Sequence, residues 1–179
     1  MPFATEMNIV DSFNDSAVDN RDGRLTAGLL ARKYEALIKY KAETPEIKNQ
    51  LAAAMFDAAE ALIKKVGVNP DKDSLRDFGF VSRITPLLEA LAASDSIGFI
   101  PDRAPQALAD MTVNLANRAG KLTADDYKAS SSPDHYYNNF REQATVLSGV
   151  LMQYADLFAK AIDERKASTK PATPRGLTQ

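Results

Sequence analysis

The stretch SPDHYYNNFREQATVLSGVLMQYADLFAKAIDERK, Ser132 to Lys166, decides the fold class. Ser132 suits an N-cap, because its hydroxyl can accept from a free first-turn amide. Pro133 follows at the first helical position, where its missing N–H costs nothing. Asp134 at the start and Arg165 and Lys166 at the end match the two poles of a helix dipole. Phe140, Ala144, Leu147, Leu151, Tyr154, Phe158 and Ala161 recur in steps of four and three, which keeps them on one stripe. Tyr137, Val150, Leu157 and Ile162 widen that stripe beyond a coiled-coil seam. The spacing predicts one amphipathic helix roughly 50 Å long, with shorter helices packed against it. Gly149 interrupts it at a cost of about 1 kcal/mol relative to Ala. That glycine either marks the close approach of another helix or is simply tolerated.

Working outward, the composition agrees with helix. The chain has 179 residues, 45% hydrophobic and 26% charged, which suits one soluble domain with a real core. Tryptophan is absent and only 8 residues are glycine, which favours helix over sheet. A net charge of −2 offers no bulk attraction to nucleic acid or to an anionic membrane. The lack of cysteine excludes disulfides, thiolate metal sites and cysteine nucleophiles. No basic n-region precedes an apolar core, and no apolar run spans a bilayer. The expectation is therefore no membrane insertion, and a place in the cytoplasm or within an assembled particle.

Upstream, a helix is expected over Thr26–Glu43, with Leu30, Tyr34, Leu37 and Ile38 as its buried face. Thr44-Pro45 ends it and opens a second helix to Val66, with Gly67 as the stop. So short a connection predicts an antiparallel hairpin. Ser74 and Asp77 resemble a capping pair for a third helix, which Pro86 should break or kink before it resumes to Ala93. Ser94–Ala104 reads as a loop that tucks Ile97, Phe99 and Ile100 inward. A further helix is expected over Pro105–Ala119, stopped by Gly120, then a short turn capped by Thr123 and Asp126.

The fold class expected is all-α, an irregular bundle of four to six helices packed on the long C-terminal one. Three segments follow: an N-terminal arm over 1–24, a helical domain over 25–167 and a C-terminal tail over 168–179. The arm is rich in Asn, Asp and Ser and reads as extended, with at most one helical turn. Its formal charge is −3, and residues 160–179 carry +3.

Catalytic chemistry finds little support. His135 is the sole histidine, so the two Glu-x-x-His motifs of a di-iron bundle are excluded. Beside Asp134 and Tyr136 it is a candidate general base, but a first-turn surface position explains it more simply. Asp125-Asp126 and Asp71-Lys72-Asp73 lack the ligand number and spacing of a calcium loop, and caps and turns explain both. Phosphate-cradling glycine loops and a Gly-x-Ser-x-Gly elbow are missing. No cofactor, catalytic residue or metal ligand is assigned. Tyr136, Tyr137 and Phe140 read as core rather than as a base-stacking platform.

The leading functional expectation is a non-enzymatic structural or assembly subunit that binds other protein subunits as a homo-oligomer. A virion or phage component is one such case. The two ends are its expected interface, anchored by Phe3, Ile9, Val10 and Phe13 in front and Leu177 behind. One alternative is a helical adaptor or regulatory module that binds another protein through a groove. Another is nucleic-acid packaging through the basic face of the first hairpin, with Arg32, Lys33, Lys39, Lys41 and Lys48 as contacts. A net charge of +2 over residues 25–66 is that of an ordinary solvated face, so this is not favoured.

Overall fold

A computed structural model describes residues 2–22, 24–68, 80–128 and 131–169, with side chains over 8–22, 24–65, 81–128 and 131–169. These residues form six α-helices and no strand: α1 Pro2–Arg21, α2 Ala27–Tyr40, α3 Pro45–Val68, α4 Phe80–Ala92, α5 Ala104–Lys121 and α6 Pro133–Thr169. Two short 3-10 turns, Ile97–Phe99 and Ala124–Tyr127, precede α5 and α6. The 37-residue α6 is continuous, about 55 Å long at 1.5 Å per residue.

Local rules set most boundaries. Thr26 caps α2 by accepting from the Leu29 amide at 3.3 Å. Thr44 does the same for α3, accepting from Ile47 at 3.3 Å. Thr123 and Asp126 form a reciprocal capping box, the Thr123 amide donating to Asp126 Oδ2 at 2.7 Å. The Ser132 carbonyl accepts from the Tyr136 amide at 3.2 Å, starting α6. Ile100 is buried as expected, while Ile97 and Phe99 are half-buried.

Four expectations need correction. The head is a 20-residue helix and not an extended arm. Its apolar side chains are few, but Phe13 and Ala17 lie one turn apart and are buried, with Ile9 and Val10 half-buried on the same side. α4 runs unbroken through Pro86. A proline costs about 3 kcal/mol inside a helix. Here the burial of Ile84, Leu87, Leu88 and Leu91 opposes that cost. Gly67 and Gly120 lie inside α3 and α5, and the helices end one residue later. A glycine lowers helix propensity but does not by itself stop a helix. The predicted start of the third helix at Ser74, Asp71-Asp73, Ala129 and the chain beyond Thr169 lie outside the described residues.

The packing also differs from helices laid on α6. α1 packs chiefly on α3 and α2 chiefly on α4, α3 and α4 pack on each other, and α5 packs on α6. α1 and α2 sit on α3 and α4, which in turn touch α5 and α6. Among the described residues α6 has no substantial contact with α1, α2 or α3. The expected α2–α3 hairpin is thus connected but loosely packed, and α2 rests chiefly on α4. α4 can hold the middle because it is apolar on most sides; adjacent Leu87 and Leu88 are both fully buried.

Candidate interaction surface

The buried stripe of α6 is Phe140, Ala144, Leu147, Leu151, Ala155, Phe158 and Ile162. It drifts round the helix relative to the predicted one: Ala155 and Ile162 are buried, whereas Tyr154 and Ala161 are half-buried. Leu157, placed by its spacing at the edge of the core, is 41% exposed. Val146 is 47% exposed, and half-buried Val150 lies one turn on. Val146, Val150 and Leu157 recur at steps of four and seven, so they form a second apolar stripe beside the buried one. Gly149 lies between Val146 and Val150 in sequence but about 60–100° round the helix from the stripe, on its exposed flank, and a Cβ there would meet no atom within 4 Å. Among the described residues no helix approaches that glycine. Around the stripe, Glu142, Gln153 and Lys160 are exposed, and neither Glu142 nor Lys160 has an ion-pair partner among the described residues. Tyr154 turns toward α4, where burial and then the Glu89 carboxylate push its hydroxyl pKa up.

The residues expected at an interface separate. Phe13 is fully buried in this chain's own core, its ring 5.8 Å from that of Tyr34. It is therefore a core residue and is not free to reach another subunit. Ile9 and Val10 pack against the same core. Phe3 lies in α1, but its side chain, like all of Leu177, falls outside the described residues.

The basic residues of α2 and α3 do not form one free face. Lys33 donates to the Ser12 carbonyl at 2.9 Å and to the Ser16 hydroxyl at 2.6 Å, fastening α2 to α1. Lys48 sits over the Phe99 ring at 5.4 Å. Lys39 lies over Tyr40 at 5.2 Å, and Arg32 and Lys41 are exposed.

The remaining polar clusters hold helices together. Arg103 donates to Glu60 Oε2 at 2.8 Å and to Asp57, and its guanidinium covers Phe56 at 4.8 Å, tying α5 to α3. Burial raises the Glu60 carboxyl, but hydrogen bonds from Arg103 and Lys64 outweigh it and leave the pKa below the usual range. Arg165 donates to the carbonyls of Gly98 and Ile100, both at 2.9 Å, and to Asp102 at 2.6 Å. It thus pins the end of α6 to the turn before α5.

Two tyrosines are perturbed. Burial pushes Tyr34 up to about 12, against a hydrogen bond with Ser96 that lowers it. Burial, then the nearby Asp126 carboxylate, push Tyr127 up to about 12. The Tyr127 hydroxyl has no partner among the described residues. His135 is exposed, with its ring at the edge of Tyr136 and 5.8 Å away. Among the described residues no three His, Asp or Glu side chains converge on a metal-sized site, and no helix is long and apolar enough to cross a membrane. A cleft of about 250 Å³ at the start of α2 is lined by Asn20, Thr26, Gly28, Leu62 and Arg83 among others. Its described lining holds no histidine, aspartate or glutamate.

The spacing of Val150 and Leu157 shows the second stripe in outline, as part of a widened apolar face. What the sequence could not say was that α4 and α5 cover only part of that width. Compared with family models, with curated proteins and with solved structures, the chain finds no significant match.

Proposed function

We propose that this chain is a non-enzymatic assembly subunit, an irregular bundle of helices that associates with copies of itself. The observation that carries this reading is the second apolar stripe of α6, where Val146 and Leu157 stay 47% and 41% exposed. Three more features support it. Gly149 lies open on the exposed flank of that stripe. The polar clusters are spent on joining helices, as with Arg103 and Arg165. The one histidine is an exposed residue whose ring lies against Tyr136. Sedimentation velocity of the full chain across a wide concentration range tests the proposal. Mass that grows with concentration is expected, and a monomer at every concentration overturns it.

A second reading, an adaptor for a different protein, is favoured by the outer face of α2. There Tyr40 is 71% exposed and Leu29 48% exposed, about 16 Å apart along the helix. Two such residues flanking Arg32 and Lys39 suit an acidic, partly apolar partner helix. A monomeric chain that sediments without self-association moves this reading to first place.

A further inference from the structure

Resting on the assembly reading, we infer that the second stripe of α6 docks on the same stripe of a second copy, antiparallel, about a two-fold axis passing between Leu151 and Met152. The register follows from the residues. A two-fold interface is self-complementary, so each side chain meets the one equally far on the other side of the axis. That axis sets Val146 against Leu157 of the partner subunit, twice by symmetry. It also sets Val150 against Gln153 of the partner subunit near the centre.

The charges fit the same register. Glu142 and Lys160 lie at the same angle round α6, on the solvent edge of the stripe. They sit about 14 Å and about 13 Å from the axis, on opposite sides. In an antiparallel pair, residues at equal angle share an edge, so Glu142 meets Lys160 of the partner subunit at both ends. Both side chains are exposed and otherwise without an ion-pair partner among the described residues. A parallel pairing would put the two copies of Glu142, and the two copies of Lys160, on opposite edges at equal height, so no Glu142–Lys160 pair would form.

The size of the face sets the strength. From Asn139 to Glu164 it covers about 400 Å² per partner, about half the roughly 800 Å² of a standard interface. The pair therefore forms at high local concentration, as within a larger assembly, and not as a tight isolated dimer.

The cysteine-free chain permits a clean test. Gln153→Cys puts a thiol about 4–5 Å along the axis from its own copy in this register. Met152→Cys puts one at the same height but on the opposite flank, where Met152 is 41% exposed. With a short thiol-reactive crosslinker, Gln153→Cys is expected to yield covalent dimer at least several-fold faster than Met152→Cys. In the Gln153→Cys background, Glu142→Lys should slow crosslinking several-fold, and adding Lys160→Glu should restore it. Equal crosslinking at both thiols, or a double reversal that does not restore the rate, overturns the inference. If the intact chain self-associates by sedimentation while Gln153→Cys stays uncoupled, this surface is wrong and the assembly reading survives. If the intact chain is monomeric throughout, the assembly reading itself fails.

Discussion

Phe13→Ala should unfold this protein more readily than almost any change outside α3 and α4. Phe13 is 0% exposed, and its ring lies 5.8 Å from Tyr34 at a tilt of 57°. Removing a buried phenyl ring costs about 3–5 kcal/mol when the site cannot collapse. About 0.5–1.5 kcal/mol of that belongs to the ring pair itself. Collapse is restricted here, because Lys33 holds α1 on α2 through Ser12 and Ser16. Val18, on the same helix but 43% exposed, is the control, and Val18→Ala should stay within about 0.5 kcal/mol. Equilibrium urea denaturation followed by circular dichroism measures both, with an unchanged m-value as the two-state check. A loss below about 1 kcal/mol for Phe13→Ala would mean that the head is not part of the core, and the packing of α1 described above would be wrong.

Three further outcomes follow from the same packing. Leu151→Ala, at a fully buried position of α6, should cost about 2–5 kcal/mol in the same denaturation assay; under about 0.5 kcal/mol would mean that the stripe faces water. Gly149→Ala should stabilise the isolated chain at low concentration by about 0.5–1 kcal/mol, because its Cβ has open space and helix propensity improves; destabilisation there would show an intramolecular neighbour. Tyr34 is held up at about 12 against an ordinary 10.0, so the stability from its neutral form is complete below pH 10 and declines as pH rises from about 10 to about 12. Tyr34→Phe should flatten that alkaline decline, and at neutral pH should cost about 1–3 kcal/mol if Ser96 is left without a partner; an unaltered alkaline profile would contradict the burial of this hydroxyl.

Much of the secondary structure was legible because caps are local. Thr26, Thr44, Thr123 and Ser132 each announce a helix through chemistry confined to one turn. The head was misread for the opposite reason. Its Asn, Asp and Ser content outweighs its apolar content, and only the Ile9–Phe13–Ala17 spacing signals a helix face. That face becomes stable only against α2 and α3, which a local reading does not contain. Pro86 shows tertiary packing overriding a strong local rule. The length of α6 does not make it central, since the middle belongs to α3 and to short, apolar α4. For the site, spacing identified Val150 and Leu157 as apolar-face residues, but it could not tell a core edge from a surface left for another chain. The basic residues were visible as charges, and their division among Ser12, Phe99 and solvent depended on the fold.

The middle pair α3 and α4 carries the core, with α5 and α6 as an outer layer. Native-state hydrogen exchange at low chain concentration tests this most directly, because amides of the most buried elements open only with global unfolding. The slowest exchange is predicted in 51–63 and 84–91, with protection there equal to the free energy of global unfolding. Faster exchange in 84–91 than in 140–162 of α6 would place the core on the C-terminal helix after all and contradict the arrangement.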